Sequence, residues 1–90
     1  MKEMTLDVSN LADRGEFHAL LKEALEFPQW YGENLDALYD CLTDLSEDIE
    51  VTFTGWEALT RQLGSYADRA KTAMGYAQRR NPHFKASFLD

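Results

Sequence analysis

Three short segments in which apolar and polar residues alternate limit the fold of this chain more than any other feature of its sequence. Their apolar positions are Met4, Leu6 and Val8, then Ile49, Val51 and Phe53, and finally Phe84, Ala86 and Phe88. A period of two residues is typical of a β-strand with one buried face. Long stretches with helical patterns join the segments, and parallel strands need connections of that kind. We therefore predict a small α/β domain with a three-stranded parallel sheet, covered by helices mainly on one face.

Start and stop signals place two helices in each of the two connections. The approximate helical ranges are 13–25, 34–45, 54–63 and 65–80. The starts at Asp13 and Thr54 each resemble a capping box, in which side chains bond to free backbone N–H groups. Asn81 and Pro82 end the last helix, because proline disfavours a helical predecessor and lacks an N–H group. The predicted order is β-α-α-β-α-α-β, in a single domain that spans residues 1–90.

The composition indicates one globular domain with an acidic surface. Hydrophobic residues make up 44% of the 90 residues and aromatic residues 12%, which is enough for one packed core. Nine basic and 16 acidic residues give a net charge of −7, which disfavours sequence-independent binding of nucleic acid. The same charge favours a basic protein partner, whose approach it would accelerate. Many acidic domains are simply soluble, so charge alone does not establish such a role.

Cysteine and histidine are too few and too scattered to indicate a disulfide, a metal site or a cofactor. Cys41 is the only cysteine, and it has no paired spacing with His18 or His83. No apolar run approaches the ~20 residues that a membrane-spanning helix needs, and residues 1–7 are too polar for the apolar part of a signal peptide. We therefore expect a cytoplasmic protein without metal, cofactor or membrane partner, in which Cys41 is a buried filler and both histidines are structural or solvated.

Residues 28–44 join an aromatic loop that contains glycine to a short acidic helix. At about 100° per residue, one stripe of the helix holds four leucines, namely Leu35, Leu38, Leu42 and Leu45. A separate arc beside the stripe holds Asp36, Asp40, Thr43 and Asp44. Asp36 and Asp40 repel each other one turn apart, and Asp44 lies where the helix dipole disfavours negative charge. This unfavourable placement is a mild argument for a binding role, and a merely solvated acidic face is the alternative.

Three aromatic residues lie next to this acidic arc. Trp30 and Tyr31 precede Gly32 in the loop, and Tyr39 lies between the leucine stripe and the acidic arc. Aromatic rings beside charged groups are typical of binding hot spots. The alternative for Trp30 and Tyr31 is that they pack beneath the loop as part of the core, and the sequence leaves that choice open.

Residues 28–43, PQWYGENLDALYDCLT, closely resemble the central motif of the barstar family, intracellular inhibitors of guanyl-preferring bacterial ribonucleases such as barnase. The resemblance implies the barstar fold and the absence of enzymatic activity. It also implies a one-to-one complex with a basic extracellular or toxin-type ribonuclease, whose active-site cleft receives the loop and the second helix. In that complex Asp40 takes the place of an RNA phosphate, and Asp36 adds a second anion. The partner-binding residues expected on this basis are Trp30, Tyr31, Gly32, Asn34, Asp36, Ala37, Tyr39, Asp40, Thr43 and Asp44.

The last predicted helix departs from the family pattern. Residues 73–80, AMGYAQRR, contain no acidic side chain and end in two arginines, whereas the type member of the family carries glutamates in this helix. A cationic patch would repel a basic enzyme if it lay at the interface. The sequence therefore leaves open which ribonuclease is the target and whether Gln78, Arg79 and Arg80 touch it.

Two other functions are compatible with the sequence. One is a non-inhibitory interaction or regulatory module on the same fold, which the unmatched last helix favours. The other is an enzyme that uses Asp36 and Asp40 as acid and base. We disfavour the enzyme because both carboxylates are expected to be exposed and nothing in the sequence indicates a cleft around them.

Overall fold

The three alternating segments form the strands of one parallel sheet. In the computed structural model, which describes residues 1–90, β1 spans Lys2–Asp7, β2 spans Ile49–Thr54 and β3 spans Phe84–Phe88. The strands are hydrogen-bonded in the order β1-β2-β3, and both pairs run parallel. The predicted three-stranded parallel sheet is therefore confirmed.

One face of the sheet is packed, and the other is partly open. Ile49, Val51 and Phe53 are buried along the central strand, and the strand register places Met4 and Ala86 on the same face, on either side of Val51. The alternate positions of this strand are only partly buried, namely Glu50, Thr52 and Thr54. This difference between the faces agrees with the predicted one-sided cover.

Two helices fill each connection between strands, in the predicted order. They are α1 (Arg14–Ala24), α2 (Leu35–Thr43), α3 (Trp56–Leu63) and α4 (Ser65–Arg80). None of them combines the length and the apolar character that crossing a membrane requires. Nineteen buried hydrophobic residues from the strands, the helices and the loops between them form one continuous cluster. The order β1-α1-α2-β2-α3-α4-β3 confirms the predicted α/β architecture.

The predicted capping box is present at the start of α1, but one of its two hydrogen bonds is shifted by one residue. The Asp13 carboxylate accepts a hydrogen bond from the Glu16 N–H at 2.9 Å, as a capping box requires. The Glu16 carboxylate accepts from the Ala12 N–H at 2.8 Å, one residue earlier than the usual reciprocal bond. Two free donors at the helix entrance are thereby satisfied.

The predicted cap at Thr54 is wrong. Thr54 is the last residue of β2, and the N-cap of α3 is Gly55, which has a φ of 77° and no side chain to accept a hydrogen bond. A Cβ at this position would lie 2.6 Å from the Cβ of Ser9. The strand therefore turns directly into the helix through a left-handed residue, and the close approach of Ser9 leaves room only for glycine.

Asn81 joins the end of α4 to the end of α2. Its side-chain nitrogen donates to the carbonyls of Leu42 and Leu45, each at 2.9 Å, and its side-chain oxygen accepts from the His83 N–H at 3.0 Å. The residue is 5% exposed. It therefore does more than end α4, because it also satisfies one carbonyl in the last turn of α2 and one just after that helix, which fixes the end of α4 beside α2.

Candidate functional site

Helix α2 starts from an asparagine whose side chain is hydrogen-bonded on both sides. The Asn34 side-chain oxygen accepts from the Ala37 N–H at 2.8 Å, and its side-chain nitrogen donates to the Gly32 carbonyl at 3.2 Å. A single amide group therefore fixes the first turn of α2 and the last residues of the preceding loop. The acidic side chains that follow project from a helix whose start is held in place.

The two arcs of α2 separate as the sequence predicts. Leu38 and Leu42 are fully buried and Leu35 and Leu45 are half-buried, whereas Asp36, Asp40 and Asp44 are exposed. The ion pairs within the chain use other carboxylates, those of Glu26, Glu57 and Asp48. Asp36 and Asp40 of α2 and the C-cap Asp44 therefore have no ion-pair partner in the chain, and their charge is free to meet a cation of another molecule.

The last turn of α2 is closed around the backbone of Asp40. The Thr43 hydroxyl donates to the Asp40 carbonyl at 3.0 Å, and the Asp44 N–H donates to the same carbonyl at 3.2 Å. Thr43 is half-buried, as are Ala37 and Tyr39. Asp40 thus projects from a completed helical turn with small or partly buried neighbours, and this leaves its carboxylate accessible.

The two neighbouring aromatic residues of the loop have opposite environments. Trp30 is 80% exposed, while Tyr31 is 4% exposed. The Tyr31 ring packs at 4.9 Å from the Phe27 ring, measured between centroids, and its hydroxyl is hydrogen-bonded to Nδ1 of His18 at 2.7 Å. Trp30 can therefore offer a whole ring face to a partner, whereas Tyr31 anchors the loop to the core.

A buried histidine links the loop to two helices. His18 of α1 is fully buried, and its two ring nitrogens lie 2.7 Å and 2.6 Å from the hydroxyls of Tyr31 and Tyr66. Burial lowers the pKa of His18, and a neutral ring has one donor and one acceptor, so one tyrosine donates to it and the other accepts. Histidine 18 is therefore structural. One signal for this was available, because His18 shares a helical stripe with Leu21 and Leu25.

Helix α4 lies along one flank of α2 and places cations at both ends of the contact. At the first end, Arg69 shares a groove with Asp36, and its guanidinium lies 5.4 Å from the centroid of the Tyr66 ring. At the other end, a shallow groove is lined by Tyr39, Tyr76, Arg79 and Arg80. The two arginines that the sequence could not place therefore adjoin the predicted site, while Gln78 does not line this groove.

The opposite flank of α2 faces the aromatic loop. Trp30, Cys41 and Asp44 line a groove there. Burial, followed by the nearby carboxylates of Asp44 and Asp40, raises the pKa of the Cys41 thiol, which disfavours a reactive thiolate. No three His, Cys, Asp or Glu side chains lie close enough together to hold a metal ion. The chemistry that this surface offers is fixed negative charge between an exposed indole ring on one side and tyrosine and arginine on the other.

Comparison with known proteins places these features in a family. The family model described as "Barstar (barnase inhibitor)" matches residues 1–89, far beyond the motif at 28–43. A protein of Bacillus subtilis (strain 168) named "Putative ribonuclease inhibitor YrdF" is 35% identical over 79 residues, which are 87% of this chain and 87% of that protein. The match spans nearly all of the α/β domain, including both flanks of α2. The chain belongs to the barstar family.

Proposed function

We propose that this protein inhibits a guanyl-preferring bacterial ribonuclease by inserting α2 and the loop before it into the active-site cleft. Membership of the barstar family and the name of the Bacillus subtilis relative support inhibition as the role. The observation that carries the mechanism is the row of exposed aspartates on α2 without an internal cation. In this proposal the complex is one-to-one, and the protein acts as an immunity factor in the cytoplasm of the cell that makes the enzyme.

Asp40 is the central group of the proposed complex. A ribonuclease cleft must hold a phosphate, so it carries cationic side chains that also bind a carboxylate, and such charge-assisted hydrogen bonds are stronger than neutral ones. Asp36 places a second anion one helical turn away, and the net charge of −7 attracts a basic enzyme from a distance. Because Asn34 and Thr43 already fix the ends of the helix, little conformational freedom is lost on binding.

The other proposed site residues frame these two carboxylates. Trp30 offers an exposed ring for stacking on an enzyme side chain, and Tyr39 lies on the flank of α2 that faces α4. Gly32 and Ala37 are small, so the enzyme can approach the backbone closely at the start of α2. Tyr31 supports the site by anchoring the loop, because its ring is packed in the core and its hydroxyl is bonded to His18.

The decisive experiment is inhibition by an Asp40→Ala variant. The probes are barnase and a panel of other guanyl-preferring bacterial ribonucleases, assayed with a fluorogenic RNA substrate. Truncating a hot-spot residue costs about 2 kcal/mol or more, so the inhibition constant should rise at least roughly thirtyfold. Glu3→Ala is the matched control, because it removes one exposed carboxylate from the open face of β1. Equal inhibition by the Asp40→Ala variant and wild type would contradict the mechanism, provided both unfold at the same urea concentration.

A non-inhibitory interaction module on the same fold is the alternative function. The cationic groove beside Tyr39 favours it, since two arginines at that place would repel a uniformly basic enzyme surface. This alternative predicts a stoichiometric complex with a partner that has no nuclease activity, and no inhibition of any ribonuclease in the panel.

A further inference from the structure

The groove between the last turns of α2 and α4 combines one exposed and one half-buried tyrosine ring with unpaired cations. Tyr76 is 55% exposed, and the guanidinium carbon of Arg79 lies 5.6 Å from the centroid of its ring. Tyr39 forms the α2 side of the groove, and Arg80 completes it. Neither arginine lies within ion-pair distance of a carboxylate. The cations that form ion pairs in this chain are Lys2, Arg61 and His83.

Helix stability explains only part of this surface. Cations in the last turn of a helix interact favourably with its dipole, by about 0.3–1 kcal/mol each, so Arg79 and Arg80 are well placed for α4 itself. The dipole gives no reason for an exposed tyrosine one turn earlier, or for a second tyrosine facing it from α2. Rings and arginines at the edge of a charged helix have the composition of an interaction surface.

The groove is continuous with the surface assigned to the ribonuclease. Tyr39 immediately precedes Asp40, and Asn81 holds the last turn of α4 against the end of α2. An enzyme that covers Asp40 and the Tyr39 flank of α2 would therefore border Arg79 and Arg80, which share a groove with Tyr39. Cations that lose water at an interface without gaining a counter-charge weaken it, so the partner must present an acid at this point or bind poorly.

We propose that the partner ribonuclease carries a carboxylate side chain on the rim of its basic cleft, and that Arg79 and Arg80 bind it between the rings of Tyr39 and Tyr76. This inference rests on the proposed inhibitory function and names a feature of the target enzyme. A guanidinium matches a carboxylate in shape and can donate two parallel hydrogen bonds to it. A ribonuclease with a basic or apolar residue at that rim position is rejected, so the groove selects among enzymes whose clefts are otherwise alike.

The test compares charge reversals on the two flanks of α4. Arg79→Glu and Arg80→Glu change the groove, whereas Lys71→Glu makes the same change of charge on the same helix, where the lysine lies over the Phe88 ring of β3. Inhibition constants and dissociation rates are measured on the ribonuclease of the panel that wild type inhibits most tightly. Each groove reversal should weaken inhibition roughly tenfold to a hundredfold, mainly through faster dissociation, because it replaces attraction by repulsion. Lys71→Glu should change it less than about threefold.

A charge swap identifies the partner group. Each Asp and Glu on the cleft rim of the enzyme is replaced singly by Lys, and one replacement should bind the Arg80→Glu variant more tightly than it binds wild type. The proposal is overturned if both groove reversals inhibit as tightly as wild type or more tightly, which is the result for a basic enzyme surface at this place. It is also overturned if wild type binds a labelled RNA oligonucleotide and the Arg80→Glu variant does not, because the groove would then be a site for RNA and not for a carboxylate of the enzyme.

The two proposals fail in different ways. If Asp40→Ala loses inhibition while both groove reversals inhibit like wild type, the inhibitory mechanism is supported. Only the proposal of a carboxylate on the rim of the enzyme's cleft is then contradicted. Absence of inhibition by wild type across the whole panel removes the inhibitory function and, with it, the inference about the groove.

Discussion

Polar groups in two neighbouring regions of this protein meet opposite conditions. On the outer side of α2, Asp36 and Asp40 are exposed and have no cation in the chain. Beneath the loop that leads into α2, His18, Tyr31 and Tyr66 are buried and bonded to one another. In the acidic region Asp36 and Asp40 repel each other one turn apart and are left open to a partner, while the buried region uses its polar groups to hold the loop. Recognition and support are thus divided between separate residues, which makes the two separately testable.

The largest effect should come from removing the buried ring with His18→Leu. The hydroxyls of Tyr31 and Tyr66 would each lose a partner in a buried site, and an unpaired buried polar group costs about 1–3 kcal/mol. The free energy of unfolding should therefore fall by about 2–6 kcal/mol, measured by urea denaturation. The triple variant with Tyr31→Phe and Tyr66→Phe is the control, because it removes the unpaired groups and should recover part of the loss. Wild-type stability of His18→Leu would mean that both hydroxyls find other partners.

Acid should weaken the buried region by a smaller amount, because protonation leaves the ring in place. Burial lowers the pKa of His18 below its ordinary value of 6.5, although the Glu33 charge opposes this shift, so the unfolded chain binds a proton more readily than the folded one. Stability from this group is complete above pH 6.5 and declines as the pH falls towards the folded-state pKa. Urea midpoints should fall over this range in wild type.

The matched variant for the acid effect is His18→Gln, which cannot titrate and keeps one donor and one acceptor between the tyrosines. Its midpoint should depend less on pH than that of wild type below pH 6.5. Asp7 and Asp48 affect the stability in a lower pH range than His18 does. Hydrogen bonds from Ser9 and His83 lower their pKa values below 3.8, so the stability they add is lost only as the pH falls below that value. An identical pH dependence of wild type and His18→Gln would exclude His18 as the titrating group.

On the recognition side, Trp30→Ala should affect binding without affecting the fold. The ring is 80% exposed, so its removal should change the free energy of unfolding by less than about 0.5 kcal/mol. Loss of a stacked ring at the interface should weaken inhibition by about 1–2 kcal/mol, roughly five- to thirtyfold. Tyr31→Phe is the contrasting variant, since it should lower stability and leave contacts with the ribonuclease nearly unchanged. The same loss of inhibition in both variants, with equal stabilities, would show that the loop does not divide its roles in this way.

The sequence predicted those parts of the molecule that depend on local periodicity. Alternation identified the strands, and the leucine spacing of α2 separated Leu38 and Leu42 from Asp36 and Asp40. It did not distinguish Trp30 from Tyr31, because adjacent loop residues have no period and contacts with Phe27 and His18 decide which ring is buried.

Features that depend on contacts between residues far apart in the chain could not be predicted from the sequence. Arg79 and Arg80 adjoin Tyr39 only because α4 packs along α2, and Asn81 fixes that packing through carbonyls of another helix. The cap at Thr54 was wrong for a similar reason, since the close approach of Ser9 requires glycine at position 55, and this glycine, not Thr54, is the N-cap of α3. The site residues on α2 itself, including the role of Asp40, stay predictions until binding is measured.

The smallest predicted effect tests the opposition between stability and recognition at a single residue. Asp44 is the C-cap of α2, where the helix dipole disfavours a negative charge and no basic residue occupies the last turn. Asp44→Asn should therefore raise the free energy of unfolding by about 0.3–1 kcal/mol, an increase that shrinks in high salt. The same change should weaken inhibition by severalfold, because it removes an anion beside Asp40. Asp68→Asn provides the reverse control: it lies in the first turn of α4, where the dipole favours the charge, so its loss should lower stability and leave inhibition unchanged. If Asp44→Asn is more stable than wild type but inhibits equally well, Asp44 is not part of the binding site. Its unfavourable position at the end of α2 would then have no functional reason.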